Sequence, residues 1–139
     1  MSAAADCVFC AIVSGAHPAA VVASDDAAVA FLDARPVFKG HVLVVPRAHV
    51  PTLADLPGPA IGPFFTAVQK IAGAVEVGLE ADGTFVAMNN KVSQSVAHLH
   101  THVVPRRRKD GLRGFFWPRT TYADDAERDA YAARIRGAL

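Results

Sequence analysis

The sequence has no long hydrophobic run, no disulfide framework and no excess of one charge. Its 139 residues contain 14 Lys and Arg against 13 Asp and Glu, and 52% of them are apolar. Such a balance gives no general attraction to nucleic acid or to a membrane surface. Apolar stretches are interrupted well before the roughly 20 residues that a membrane helix needs, so none is expected. The first residues also lack the basic and apolar regions of a signal peptide, which predicts a cytoplasmic protein.

The length suits one globular domain with an apolar core, and the residue pattern predicts its elements. Apolar residues recur with helical spacing over 58–79, whereas β-branched runs at 41–45 and 97–104 are typical of strands. Shorter elements are predicted as helices at 7–14 and 125–138 and as strands at 20–23, 28–33 and 85–88. The order predicts an α+β fold with a mostly antiparallel five-stranded sheet, one long helix and short terminal helices. We expect one domain over 1–139, with 106–139 as a C-terminal extension.

Three of the six histidines fall within five residues. The order His98, Leu99, His100, Thr101, His102 alternates with period two, so a strand would carry all three imidazoles on one face. Alternate histidines can hold a catalytic zinc ion, because neutral imidazole is a good zinc ligand. Alternatively, one imidazole can attack phosphorus while its neighbours stabilise the phosphoryl oxygens. The histidines by themselves leave both possibilities open.

Several segments together resemble the histidine triad (HIT) superfamily, in particular its zinc-containing bacterial members. The triad signature is matched by His98–Val104, with Thr101 at a position that is usually apolar. The similar segments outside the triad are Phe31–Asp33, Gly40–Pro46, His49 and Gln94–Val96. The resemblance implies an enzyme that cleaves at the α-phosphate of adenosine or guanosine phosphoramidates or dinucleoside polyphosphates, through a covalent nucleotidyl-histidine. A nucleic-acid 5′-deadenylating enzyme and a nucleotide- or partner-binding protein with little turnover are the alternatives.

The resemblance also assigns roles around the reacting phosphate. His100 is the expected nucleophile, and His102 is the expected phosphate contact. His41 is expected to support the same centre from an adjacent strand. Ser95 and Gln94 occupy positions that donate hydrogen bonds near the leaving group and the phosphate. No catalytic metal is required in this scheme.

The nucleoside is expected to contact a second group of residues. Asp33 matches the position that holds the ribose hydroxyls, and a carboxylate suits two vicinal donors. Phe31 and Ile12 are expected to wall the base pocket, and a plain core role suits them as well. The loop before Gln94 is shorter than in many family members and has no glycine. Either Asn89 or Asn90 could contact phosphate there, and we favour Asn89 because it directly follows the predicted strand.

A second site is implied by the cysteines. The C-x-x-C spacing of Cys7 and Cys10 alone is a weak indication of metal or redox chemistry. Zinc-binding relatives use such a pair with a histidine after the Gly-His strand and with the first triad histidine, which here are His49 and His98. Two thiolates and two imidazoles form a closed tetrahedral set, which is typical of structural zinc. Zinc would then occupy His98 and leave His100 and His102 for chemistry.

Two segments near the C-terminus receive no firm role from the sequence. Arg106–Lys109 is expected to be a solvated loop, or else to attract polyphosphate. Gly114–Arg119 contains an aromatic run that suits a dimer interface or a lid over the base. The resemblance further implies a homodimer with the long helix and a strand at its interface. Membrane partners are not expected and nucleic acid is disfavoured.

Overall fold

The computed structural model describes residues 3–112 and 119–139. These residues form two compact units, Met1–Arg108 and Lys109–Leu139. The first unit contains two short 3-10 turns, at Ala3–Asp6 and Leu53–Asp55. Its longer elements are α1 (Val8–Ser14), β1 (Val21–Ser24), β2 (Ala28–Leu32), β3 (Val42–Pro46), α2 (Gly58–Gly78), β4 (Gly83–Ala87) and β5 (Thr101–Arg106). The second unit contains α3 (Asp125–Arg136), and no helix among the described residues is long and apolar enough to cross a bilayer.

The sheet has five strands in the order β1-β2-β3-β5-β4, and every described pairing is antiparallel. The prediction of an α+β fold with an antiparallel five-stranded sheet is therefore confirmed. The turn between β1 and β2 is closed by Asp25, whose Oδ1 accepts hydrogen bonds from the N–H groups of Ala27 and Ala28, each 2.8 Å long. This local bond is the reason why the polar residues between the two apolar runs form a hairpin turn.

Helix α2 covers one face of the sheet. Its buried side chains Phe64, Val68, Ile71 and Val75 pack in one cluster with alternate residues of β2, β3 and β5. The four helix residues recur at the three- and four-residue intervals of a helix. This spacing explains why the ends of α2 could be predicted from the sequence to within one residue. Pro59 lies in the first turn, where its missing N–H has no helical partner to lose.

Helix α1 lies on the other face, which also carries the functional residues. Phe9 packs with the sheet residues Val29, Phe31, Leu43 and Val45, and its ring meets that of Phe31 edge to face at 5.4 Å. The helix begins after Cys7, whose Sγ accepts a hydrogen bond from the N–H of Cys10. The helix fixes the position of both cysteines relative to the sheet.

The prediction of a strand over 97–104 was wrong at its start, since β5 begins only at Thr101. His98 and His100 therefore lie in an irregular segment before the strand, and only His102 belongs to it. The neighbouring strand β3 ends at Pro46, and the N–H of Leu99 donates instead to the carbonyl oxygen of Val50, at 2.7 Å. The expected alternation of sides still holds, because Leu99 is buried in the cluster under α2.

The C-terminal unit contains the predicted final helix. The carboxylate of Asp124 caps it by accepting a hydrogen bond from the N–H of Glu127, at 2.8 Å. Its side chains are exposed, including Tyr131 and Ile135. The aromatic residues of 113–118 lie outside the described residues.

Candidate functional site

A cavity of about 970 Å³ opens at one end of the sheet, on the side of α1. Its floor follows the strand register, in which Phe31 of β2 pairs with Leu43 of β3 and Leu43 pairs with His102 of β5. Six of the residues predicted for the reaction or for nucleoside binding line it, and these are Ile12, Phe31, Asp33, Ser95, His100 and His102. The structure thus brings together residues that are up to 90 positions apart in the sequence.

The ring of His100 is almost fully buried and is held by the chain next to it. Its Nδ1 lies 2.7 Å from the carbonyl oxygen of His98. A carbonyl can only accept a hydrogen bond, so Nδ1 carries the proton and Nε2 has a free lone pair when the ring is neutral. The ring of Phe9 packs edge to face against that of His100, with the centroids 5.0 Å apart. The available nitrogen therefore belongs to a ring whose orientation is fixed, at the wall of the cavity.

A chain of hydrogen bonds sets the protonation of His41 and His102. The N–H of Val37 donates to Nδ1 of His41 at 3.1 Å, which leaves the proton of a neutral His41 on Nε2. That Nε2 lies 3.0 Å from Nδ1 of His102, so Nδ1 accepts and Nε2 of His102 carries a proton. Burial lowers the pKa of His41, and it lowers that of His102 to about 4, with His100 and His41 adding to the second effect. Both rings are neutral near pH 7, and His102 offers an N–H donor beside His100.

Asp33 lies at the rim of the cavity, just after β2. Its Oδ1 accepts the N–H of Arg35 at 2.9 Å, and its Oδ2 lies 3.7 Å from Nδ1 of His41. The second distance is too long for a hydrogen bond, and the Nδ1 lone pair already accepts from Val37. Oδ2 therefore keeps its hydrogen-bonding capacity for a ligand.

The structure does not bring Gln94, Asn89 or His41 to the cavity surface. His41 lies behind His102, as a supporting residue would. Both ends of the Gln94 amide hold the loop, because Oε1 accepts the N–H of Lys91 at 2.8 Å and Nε2 donates to the carbonyl of Pro51 at 2.6 Å. The binding roles predicted for Gln94 and Asn89 stay predictions. The shortened loop turns without glycine by placing Lys91 and Ser93 at positive φ, 69° and 60°.

The side chains of Cys7, Cys10, His49 and His98 meet beside the cavity and could bind a metal ion, since their ligand atoms all lie within 4.8 Å of one another. Nδ1 of His98 is 3.4 Å from Sγ of Cys7, and Nδ1 of His49 is 3.3 Å from Sγ of Cys10. Nε2 of His98 donates to the carbonyl of Pro46 at 2.8 Å, which leaves the lone pair of Nδ1 facing the sulfurs. Burial, together with the neighbouring Cys7, raises the pKa of the Cys10 thiol to about 11. The donor set fits a metal ion, because a cation would favour the thiolates that burial disfavours.

Sequence reasoning missed several residues of the cavity lining, among them Leu43, His17 and Arg35. Leu43 pairs with His102, and the strand alternation could have placed it on the same face. His17 and Arg35 also line the cavity, and no sequence signal pointed to them. Arg107 donates to the carbonyl of Leu79 at 2.7 Å, so at least this residue of the basic segment stabilises the end of α2.

Comparisons with known proteins agree with this geometry. The HIT domain model matches residues 14–109. The chain is 39% identical over 127 residues to "Protein hit" of Bacillus subtilis, covering 90% of this chain and 86% of that protein. It is 31% identical over 112 residues to the adenosine 5′-monophosphoramidase hnt1 of Schizosaccharomyces pombe, covering 81% and 83%.

Solved structures give the same result. A HIT family protein from Bacillus subtilis has a TM-score of 0.85 and 36% identity, and the match covers 96% of this chain and 97% of that one. A Zn-bound histidine triad family protein from Mycobacterium smegmatis has a TM-score of 0.74 and 38% identity, covering 98% and 99%. The matched domain spans well over half of the sequence, and the chain belongs to the HIT domain family.

Proposed function

We propose that the protein is a nucleotide hydrolase or nucleotidyl transferase that cleaves at the α-phosphate through a covalent intermediate on His100. The observation that carries the proposal is the contact between Nδ1 of His100 and the carbonyl of His98, which leaves Nε2 as the nitrogen available for attack on a ring that lines the cavity. The name of the similar Schizosaccharomyces pombe protein, an adenosine 5′-monophosphoramidase, supports the choice of a phosphoramidate as substrate.

The proposed reaction has two displacements at phosphorus. In the first, the lone pair of His100 Nε2 forms a bond to the α-phosphorus while the bond to the leaving group breaks. The leaving nitrogen of a phosphoramidate keeps the electron pair and takes up a proton, which the hydroxyl of Ser95 can relay from solvent. In the second, water attacks phosphorus and loses a proton to solvent, and the electron pair of the P–N bond returns to Nε2. A second nucleophile in place of water makes the protein a transferase.

His102 has an electrostatic task in both steps. Charge on the non-bridging oxygens changes as phosphorus passes through the five-coordinate arrangement, and a fixed donor stabilises it without reorganising. The Nε2–H of His102 is such a donor, since His41 holds its Nδ1 as an acceptor. A neutral ring also avoids placing a second cation beside His100, which would disfavour the cation that His100 becomes on attack.

We propose that Cys7, Cys10, His49 and His98 hold zinc in a structural site. Two sulfurs and two imidazole nitrogens suit tetrahedral Zn²⁺ and fill its coordination, so no open position remains for substrate. When bound, zinc would supply a positive charge that keeps both thiols deprotonated. The four residues would join α1, the chain after β3 and the segment that carries His100. The homodimer implied by the resemblance stays a prediction, because the structure describes a single chain.

The covalent intermediate can be tested with adenosine 5′-phosphoramidate. We expect rapid quenching and intact-mass analysis to find wild-type protein heavier by one adenylyl group, and expect His100→Ala to show no such species. Thr66→Ala, an exposed change on α2, serves as the matched control and should behave as wild type. Turnover by His100→Ala at the wild-type rate would refute the mechanism, and tight binding of AMP without turnover by the wild type would favour a binding protein.

The zinc proposal has its own test. Metal analysis of the purified protein should find one zinc ion per chain, with Cys7 and Cys10 protected from alkylation until a chelator is added. Zinc-free protein with freely alkylated cysteines, purified without chelator, would contradict it.

A further inference from the structure

Two side chains at one end of the cavity have no partner in the part of the chain that the structure describes. His17 and Arg35 both line the cavity, and neither makes a hydrogen bond or ion pair through its side chain with a described residue. Their backbones are fixed, however. The N–H of His17 donates to the carbonyl of Ala11 at 3.1 Å, and the N–H of Arg35 donates to Oδ1 of Asp33 at 2.9 Å. Two exposed polar side chains are thus held on fixed backbone beside an open cavity.

The strand register indicates which part of a nucleotide these side chains would meet. His102 lies on β5, Leu43 on β3 and Phe31 on β2, in one row across the sheet. Neighbouring strands are about 4.8 Å apart, so the Phe31 backbone lies roughly 10 Å from that of His102. A nucleotide whose α-phosphate meets His100 and His102 therefore extends its base over Phe31 and towards β1. Arg35 follows β2 and His17 precedes β1, two strands that lie on the side of β3 away from β5, so we expect both to meet the base end of a bound nucleotide.

The hydrogen-bonding capacity of these residues discriminates between the two purines. The guanidinium of Arg35 has only donors, in a planar fork. Guanine presents two acceptors, O6 and N7, on one edge, and this is the edge to which arginine binds through two hydrogen bonds. Adenine replaces O6 by an amino group, which would place a donor against a donor. The imidazole of His17 can add one further N–H donor to an acceptor of guanine.

We propose that Arg35, assisted by His17, makes the site selective for guanosine nucleotides over adenosine nucleotides. The inference rests on the proposed function and names the substrate base of that same site. Asp33 lies between Arg35 and the histidines, because its Oδ1 accepts the N–H of Arg35 and its Oδ2 is 3.7 Å from Nδ1 of His41, and there it would meet the ribose. The purine ring would then have its faces covered by the apolar walls and its acceptor edge towards Arg35.

The test compares the binding of GMP and AMP by titration calorimetry. For the wild type we expect GMP to bind about 5- to 20-fold more tightly than AMP. This preference is in the lower part of the range for an arginine that makes two hydrogen bonds to guanine, because Arg35 is exposed. Arg35→Gln should remove most of this preference by lowering the affinity for GMP, and should leave the affinity for AMP within about twofold of the wild-type value. His17→Ala should reduce it by a smaller factor. Lys39→Gln is the matched control, because it removes the same charge from the same loop at a position outside the cavity lining.

The outcomes separate this inference from the function on which it rests. Equal affinities for GMP and AMP in the wild type, together with hydrolysis of nucleoside phosphoramidates, overturn the guanine assignment alone. Equal weakening of both nucleotides by Arg35→Gln also overturns it, because the contact would then be to ribose or phosphate. If the folded wild type neither binds a nucleotide nor hydrolyses a phosphoramidate, both proposals fail.

Discussion

Replacing His41 by leucine should slow the chemical step although His41 lies outside the cavity. Leucine has a similar volume and can neither accept from Val37 nor donate to His102. Nδ1 of His102 then loses its donor, and the ring is free to carry its proton there and to turn a lone pair towards the phosphate. Loss of one fixed donor to a developing oxyanion costs about 100- to 1,000-fold in kcat, or about 3–4 kcal/mol. Nucleotide affinity should change far less, since the ground-state phosphate needs that donor less than the transition state does.

A glutamine at position 41 tests whether the two hydrogen bonds of His41 are what matters. His41→Gln keeps an acceptor for Val37 and a donor for His102, so kcat should recover to within about tenfold of the wild type. Single-turnover rates on a nucleoside phosphoramidate measure the effect on kcat, and ¹⁵N NMR of the His102 ring reports which nitrogen carries the proton. A leucine variant with kcat within about threefold of the wild type would refute a role for the hydrogen bond between His41 and His102 in the chemical step. So would an unchanged His102 tautomer in that variant.

Three further predictions concern stability. Because burial lowers the pKa of His102 from 6.5 to about 4, the unfolded chain binds this proton first as pH falls. The free energy of unfolding should therefore drop between pH 6.5 and 4, with at most about 3 kcal/mol from this residue, and urea titrations should find a smaller drop in His102→Asn. Gly40→Ala should lower the free energy of unfolding by about 2–4 kcal/mol, because φ is +97° and the new Cβ would collide with Leu79. Adding Leu79→Ala should remove the collision but not the strain of the positive φ. Chelator should lower the melting temperature of the wild type but not of metal-free Cys10→Ser, whereas an equal shift in both would contradict a metal role for Cys10.

Most of the fold could be predicted from the sequence because its signals are local. The spacing of Phe64, Val68, Ile71 and Val75 is helical by itself, and each lies on the buried face of α2. The histidine strand was predicted to end at residue 104, just before Pro105, whereas β5 continues to Arg106. Strand β3 pairs with β5 only as far as Val103, so the missing N–H of proline removes no bond to β3.

The site was predicted less completely because its geometry depends on distant parts of the chain. The irregular backbone at His98 follows from where β3 ends, which a pattern of alternating residues does not contain. The fixed amide of Gln94 follows from a loop that turns through two residues at positive φ, where the family often has glycine. Arg35 is an ordinary exposed arginine in the sequence, and only the folded chain brings it to the lining of the cavity.

The hydrogen bond between His41 and His102 also has a consequence for folding. It joins residues 61 positions apart, and the contact of Cys7 with His98 joins residues 91 apart. Closing loops of such length costs conformational entropy, so we expect these contacts to form late in folding. On the ribosome the two cysteines emerge long before His98, so the four candidate metal ligands cannot meet until most of the chain has been made. His100 and the four candidate metal ligands are therefore expected to reach their final arrangement together.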